Sequence, residues 1–267
     1  MNTKLGWAKA ANGFRFRPFS DLRVRATSKP PQAYRITTLK KIIDGAYLVP
    51  MGNANAVLLD AGPDLVLIDA GFPGKTDTVL AAVGKLGRKP NDLKHLVFTH
   101  GHPDHIGSAA ALVRATSART YMHVADVPLA ESGGPFRTMT PGRGWLPSLL
   151  FRLVWKPDER MEPFRIDQHI ADGETLPLAG GLRAVHLPGH CAGQVGFLWQ
   201  GQRLLIAGDV FMNNLGLGDP VGFEDEGEGR RSQRKLAALA PQAVCFGHGS
   251  AITKDTAARL ERAAARR

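Results

Sequence analysis

A histidine-crowded turn constrains this chain more than any other stretch. Residues 99–106 read Thr-His-Gly-His-Pro-Asp-His-Ile, which places His100, His102, Asp104 and His105 within six positions. The residues before it, Leu93 to Thr99, have the apolar ending of a buried strand, and Ile106 to Val113 is small and apolar enough for a helix. The chain must therefore fold so that a strand-to-helix turn presents four polar side chains, in the kind of segment that commonly carries binding and catalytic groups. Side chains alternate along an extended turn, so His100 and His102 point the same way. Pro103 ends the strand and can open the helix, which directs Asp104 and His105 to a second point nearby. That leaves room for two metal ions. Imidazole and carboxylate ligands without a thiolate suit Zn first, with Fe and Mn as competitors.

Three later segments repeat the form of an apolar run that stops on a His or Asp beside Gly. Val185, Leu187, Pro188 and Gly189 lead to His190; Leu204-Leu205-Ile206-Ala207-Gly208 leads to Asp209; Ala243-Val244-Cys245-Phe246-Gly247 leads to His248. Glycine ahead of a ligand lets the backbone approach a crowded ion and take positive φ where that is needed. Each segment alone is a weak signal. Four in one chain, each at a strand end, are a strong one.

With these residues the chain resembles the metallo-β-lactamase-fold superfamily. The match is His-x-His-x-Asp-His at 100–105, Pro-Gly-His at 188–190, Gly-Asp at 208–209, Gly-His-Gly at 247–249 and an earlier Leu-Val-Leu-Ile-Asp-Ala-Gly at 65–71. The resemblance spans about residues 45–252. It implies an α/β fold, a four-layer αββα sandwich with the metal site at the sheet edges. It also implies that His100, His102 and His190 hold a first metal, that Asp104, His105 and His248 hold a second, and that Asp209 bridges them. Two divalent ions about 3.5–4 Å apart can share a hydroxide formed from water whose pKa has dropped from 15.7 to about 7. The expected nucleophile is that metal-bound hydroxide, attacking an acyl or phosphoryl centre whose oxygen a metal polarises. Asp104 is the catalytic candidate, orienting the nucleophile or passing a proton to the leaving group. Asp69 either holds the histidine turn from behind or is an ordinary strand-end aspartate.

Charge is unevenly placed along the 267 residues. Residues 1–41 hold ten Lys/Arg and one acid (+9), 42–229 hold 15 basic and 21 acidic groups (−6), and 230–267 hold nine basic and two acidic groups (+7). The net charge of +10 therefore says nothing about the catalytic body. The reading divides the chain into a basic aromatic arm, 1–31, with Trp7, Phe14, Phe16 and Phe19, and a hydrolase domain, 32–267. The arm lacks the 7–15-residue apolar core of a secretory signal. It reads as a surface extension or oligomer contact, with nucleic acid or membrane contact not expected. Cys191 and Cys245 are too few for a disulfide framework and read as structural. No apolar run approaches the ~20 residues of a transmembrane helix, and a cytoplasmic location is expected. Of the histidines outside the constellation, His95, His123 and His169 read as structural or surface residues. His186, four residues before His190, is the candidate for supporting a ligand.

Strands are predicted near 33–39, 45–50, 54–60, 64–69, 94–99, 119–123, 175–178, 182–187, 194–199, 203–208 and 243–247. Helices are predicted at 75–87, 106–116, 230–239 and 253–265. Between His105 and His190 lie 84 residues, more than two helices and two hairpins require. The extra length, 127–168, reads as an inserted lid or oligomer contact, with an apolar helix at 147–155 facing the Gly71-Phe72-Pro73-Gly74 loop across the cleft. A lid of that composition implies a small-molecule substrate with an apolar part, and a homodimer is the other use of it.

Departures from particular relatives narrow the chemistry. Only 19 residues follow His248, against the C-terminal helical domain of glyoxalase II enzymes. The segment Asp209-Val-Phe-Met-Asn-Asn lacks the Cys and Lys of subclass B1 β-lactamases, and no RNA-clamping insertion is visible. Lactonases and related esterases keep all seven ligands, although Tyr34, Tyr47 and Tyr121 do not align with the lactonase tyrosine. The expectation is a dinuclear zinc hydrolase of a carboxylic ester, lactone or thioester. A phosphoester hydrolase or nuclease is the alternative, followed by an iron-dependent sulfur dioxygenase.

Overall fold

The computed structural model describes residues 38–266. The arm at 1–31 and most of the strand expected at 33–39 lie outside the described residues. Seven strands form the first sheet, neighbours in this order: β1 (Lys40–Ile43), β2 (Ala46–Pro50), β3 (Asn55–Asp60), β4 (Leu65–Ile68), β5 (Leu93–Val97), β6 (Arg119–His123) and β8 (Gln168–Ile170). The first four run as an antiparallel meander, and β5, β6 and β8 add in parallel. Parallel neighbours need crossovers, and α1 (Thr76–Lys85) supplies the one from β4 to β5. The second sheet has the order β14 (Ala243–Cys245), β12 (Leu204–Ile206), β11 (Val195–Trp199), β10 (Leu182–His186) and β9 (Thr175–Leu176). Its parallel pair, β12 and β14, is joined through α6 (Glu226–Ala238), and α7 (Thr256–Ala264) follows β14.

Side-chain alternation sorts the apolar residues into three cores. On β3 and β4, Leu58, Leu65 and Leu67 face one way and Val57, Leu59, Val66 and Ile68 the other, as a period of two requires. The first set meets Val79 and Val83 of α1. The second meets Leu182, Phe197, Leu204 and Cys245 of the other sheet. The reverse face of that sheet, Val185, Leu205 and Val244, meets Leu236 of α6 and Leu260 of α7. Helices, sheet, sheet and helices therefore stack as four layers, the αββα sandwich.

The helix expected over 106–116 is two helices, α2 (Pro103–Ile106) and α3 (Ala109–Thr116). The break at Gly107 and Ser108 lets the 71–74 loop dock. Ser108 Oγ donates to Phe72 O at 2.6 Å and accepts from Lys75 N at 2.7 Å. A β-carbon on Gly107 would stand 2.5 Å from Pro73 N. The helix expected at 230–239 starts earlier, at Glu226, where the Asp225 carboxylate accepts from Glu228 N at 2.8 Å, an N-cap. The 127–168 stretch divides. Val127, Leu129 and Ala130 of α4 (Val127–Ser132), with Phe136, Phe164 and Ile166, belong to the first core. The expected apolar helix is α5 (Trp145–Val154), held near β7 (Thr140–Pro141) and β13 (Gly222–Phe223), a two-stranded ribbon. It leaves Trp145, Leu149 and Leu153 exposed. Among the described residues no helix is long and apolar enough to cross a membrane.

Candidate metal centre

The loops that follow β5, β10, β12 and β14 meet at one edge of the two sheets, and each brings the side chain that its apolar run led to. His102 caps α2 in an extended conformation and Pro103 opens the helix. Asp104 and His105 thus lie on the first turn while His100 and His102 precede it. His100, His102 and His190 form one group of ligand atoms within 4.8 Å of one another. His100, His105 and Asp209 form a second such group, and Asp104, His105 and His248 a third. All seven expected residues are brought together. Asp209 approaches histidines of all three groups. Its Oδ2 lies 3.1 Å from His248 Nε2 and 3.7 Å from His190 Nε2, and its Oδ1 lies 3.5 Å from His105 Nε2. Asp104 Oδ2 lies 3.1 Å from His248 Nε2.

Four of the five imidazoles are aimed by the hydrogen bond on the other ring nitrogen, which fixes the tautomer. His190 Nδ1 donates to Gly222 O at 2.9 Å, His248 Nδ1 to Asn53 O at 2.8 Å, and His105 Nδ1 to Asp69 Oδ2 at 2.8 Å. His100 Nδ1 donates to Thr99 Oγ1 at 3.0 Å, and that hydroxyl donates to Asp69 Oδ2 at 2.8 Å. Asp69 Oδ1 also accepts from Thr99 N at 2.8 Å. Asp69 is therefore the residue behind the histidine turn. It adopts φ +63, a left-handed backbone that aspartate tolerates better than most residues. The bare Nε2 of His190 stands 3.0 Å from His102 Nδ1, an approach that needs a proton or a cation between the two lone pairs.

Burial and charge divide the centre into two halves. Burial pushes His100 well below its usual range, His102 down to about 3, and His190 downward. On the other side burial would also oppose charge, but the carboxylates outweigh it. Asp104, Asp209 and Asp69 lift His105 well above its usual range, and Asp209 with Asp104 lifts His248 to about 10. In turn His248 and His105 overcome the burial of Asp104 and Asp209 and hold both carboxyls below the usual carboxylate range. In one half burial thus favours the neutral, lone-pair-bearing form of three imidazoles. The other is a carboxylate cradle that draws positive charge.

These residues fit a divalent metal. His100 Nε2, His105 Nε2 and Asp209 Oδ1 are buried atoms without a hydrogen-bond partner among the described residues. Leaving such an atom unsatisfied costs about 1–3 kcal/mol, and these three, with the facing lone pairs of His190 and His102, are the donor set that a bound cation would satisfy together.

Beside the ligands opens a cavity of about 490 Å3. Phe72, Leu150, Phe151, Val154, Trp155 and Met212 give it apolar walls, with Asn53, Lys156 and Glu159 among its polar groups. The Trp155 ring lies 5.3 Å from the His102 ring, edge on. Phe72 and α5 both line this cavity. Of the other histidines, His95 bonds Tyr121 Oη, and His123 stacks on His186 at 4.1 Å. His186 Nε2 donates to Ala192 O at 2.8 Å, which steadies the turn after His190. Sequence reasoning missed Asp126 and Arg137, which lie behind the same turn. Asp126 meets the turns partly through the main-chain N–H groups of Gly101 and Gly193, which carry no side-chain signal.

Comparison with known proteins bears on the family and the fold. The family profile described as "Metallo-beta-lactamase superfamily" matches residues 49–248. A Bacillus subtilis (strain 168) protein named "Uncharacterized protein YobT" is 29% identical over 230 residues, covering 80% of this chain and 91% of its own length. "Probable metallo-hydrolase YflN" of the same organism is 26% identical over 221 residues, covering 77% and 83%. Among solved structures, a metallo-beta-lactamase family protein from Thermus thermophilus superposes with a TM-score of 0.61 at 24% identity, over 83% of this chain and 79% of that one. That last likeness speaks to the fold.

Proposed function

This chain belongs to the metallo-β-lactamase superfamily, and on that footing we propose that it is a dinuclear zinc hydrolase of carboxylic esters, lactones or thioesters with an apolar acyl part. The observation that carries the two-ion reading is Asp209, whose oxygens face His190 on one side and His105 and His248 on the other. His100, His102 and His190 would hold one ion, Asp104, His105 and His248 the other, with Asp209 shared. When bound, such a pair lowers the pKa of a coordinated water from 15.7 to about 7 and polarises the oxygen of the bond to be cleaved.

The chain's own residues supply the rest. Asp104 and Asp209 both line the cavity, but Asp104 is 22% exposed through its side chain and Asp209 only 3%. Asp104 is therefore the carboxylate that a substrate reaches, and its oxygens are placed to take up a proton and return it to the leaving oxygen or sulfur. Phe72, Phe151 and Trp155 shape an apolar wall for the acyl chain. An apolar wall discriminates chain length by about 1–3 kcal/mol for each methylene it contacts.

The test is metal content by elemental analysis for wild type and Asp209→Ala, followed by rates on p-nitrophenyl esters and acyl thioesters of increasing chain length. Two zinc ions in the wild type, fewer in the variant, and a kcat/KM that climbs with acyl length are expected. Iron as the bound metal, or turnover of phosphodiesters with none of esters and thioesters, would overturn the proposal.

A further inference from the structure

Behind the three-histidine half lies a buried carboxylate that touches neither cavity nor ligand side chain. Asp126 is 0% exposed. Its Oδ2 accepts from Gly101 N at 2.8 Å and from the Cys191 thiol at 3.1 Å; its Oδ1 accepts from Gly193 N at 2.9 Å and from the Arg137 guanidinium. Gly101 is the residue between His100 and His102, and Cys191 is the residue after His190. Arg137 reaches on to Glu224 Oε1 at 2.8 Å, and Glu224 Oε2 accepts from Ala192 N at 2.8 Å. Two carboxylates joined through one guanidinium thus collect the main-chain N–H groups of residues 101, 192 and 193 and the thiol of 191. The space is cut to fit: a β-carbon on Gly193 would stand 2.7 Å from Asp126 Cβ, and one on Gly101 would stand 3.4 Å from it.

We propose that Asp126 is the positioning residue of the three-histidine group, tying the 100–102 turn to the 190–193 turn so that His100, His102 and His190 converge on one ion. The proposal rests on the two-ion reading above. Its specificity comes from what Asp126 does not touch. His105 is aimed by Asp69 and His248 by Asn53, so the second half keeps its own supports when Asp126 changes. Charge-assisted bonds to main-chain N–H groups hold geometry more firmly than neutral ones. Partners that orient metal ligands from behind are typically worth 10–100-fold in metal affinity.

The experiment is a zinc titration of the full chain against a competing chelator, which reads the two dissociation constants apart from turnover. In Asp126→Asn, one zinc ion should bind about tenfold or more weakly, the other should stay close to its wild-type affinity, and the far-UV spectrum should be unchanged. Arg137→Gln should weaken the same ion by less, and it carries the test if Asp126→Asn does not fold. Asp167→Asn is the control for loss of a structural carboxylate: Asp167 accepts from Thr120 N at 3.0 Å, away from the ligands, and both ions should bind as in wild type. Equal weakening of both ions in Asp126→Asn, or weakening of neither, overturns the proposal. A wild type that holds a single zinc ion defeats the two-ion reading instead. The role of Asp126 then stands if Asp126→Asn weakens that ion and falls if it does not.

Discussion

At Gly247 the backbone passes so close to the ligands that a β-carbon has no place to go. It would fall on Asp209 Oδ1 and stand 2.5 Å from His105 Cε1. Gly247 is not among the residues with left-handed backbone, so alanine meets no conformational penalty there, only the collision. Gly247→Ala should therefore displace the Asp209 carboxylate and leave the sheets intact. The expected protein binds roughly half the zinc of the wild type or less, with an unchanged far-UV spectrum; full zinc content would show that Asp209 is not shared. The seven candidate ligands were legible in the sequence because each His or Asp closes an apolar run beside Gly or within the crowded turn. Asp69 was legible only as a choice between two roles, which its bonds to Thr99 and His105 resolve. Asp126 was not legible at all. Nothing in a sequence marks a carboxylate whose acceptors serve amide groups 25 and 67 positions away.

Elements were readable in proportion to their length and to how much of their pattern was their own. Strands β3, β4 and β11 were readable as nearly continuous apolar runs, because both of their faces are covered. The two-residue strands β7 and β13 are too short to have a period, and β8 pairs only because the chain returns to the edge beside β6. The break between α2 and α3 was hidden because the cause is tertiary: the 71–74 loop occupies the space in which a continuous helix would run. Gly227 and Gly229 disguised the start of α6, and Gly229 is required because a β-carbon would stand 2.6 Å from the Phe223 ring. On α5, Phe151 is the anchor. A β-carbon on Gly222 would stand 2.6 Å from its ring, and Phe151 stacks on Trp155 at 5.9 Å. Phe151→Ala removes that seat without opening any of the three cores. The melting temperature should fall by only a few degrees, while KM for long-chain acyl esters rises about tenfold and KM for acetates barely moves. Equal changes for short and long substrates would mean that α5 does not line the acyl path.

At the scale of the whole molecule, the site is also the seam between the sheets. Asn55 of β3 donates through its main-chain N to Gly247 O at 2.8 Å, and through Nδ2 to Phe246 O at 3.2 Å and Gly249 O at 2.8 Å. Val195 N at the head of β11 donates to Thr99 O at 2.8 Å. The same loops carry the candidate metal ligands and stitch the layers, so stability and metal binding would share a geometry. The pH dependence of stability can still be probed away from that seam, at His95. Burial lowers its pKa, with Asp64 opposing, and its Nδ1 bonds Tyr121 Oη at 2.9 Å. A histidine whose folded pKa is depressed binds fewer protons than the unfolded chain does once pH falls below the usual value near 6.5. Stability rises with pH wherever the unfolded chain binds more protons. The His95 contribution is therefore fully present above that value and lost as pH drops through it toward the folded pKa. Melting curves from pH 7.5 to 5 should show the wild type losing more stability over this window than His95→Gln, which carries no titrating group there. Parallel losses in the two proteins would mean that His95 takes up its proton as readily in the folded sheet as in the open chain.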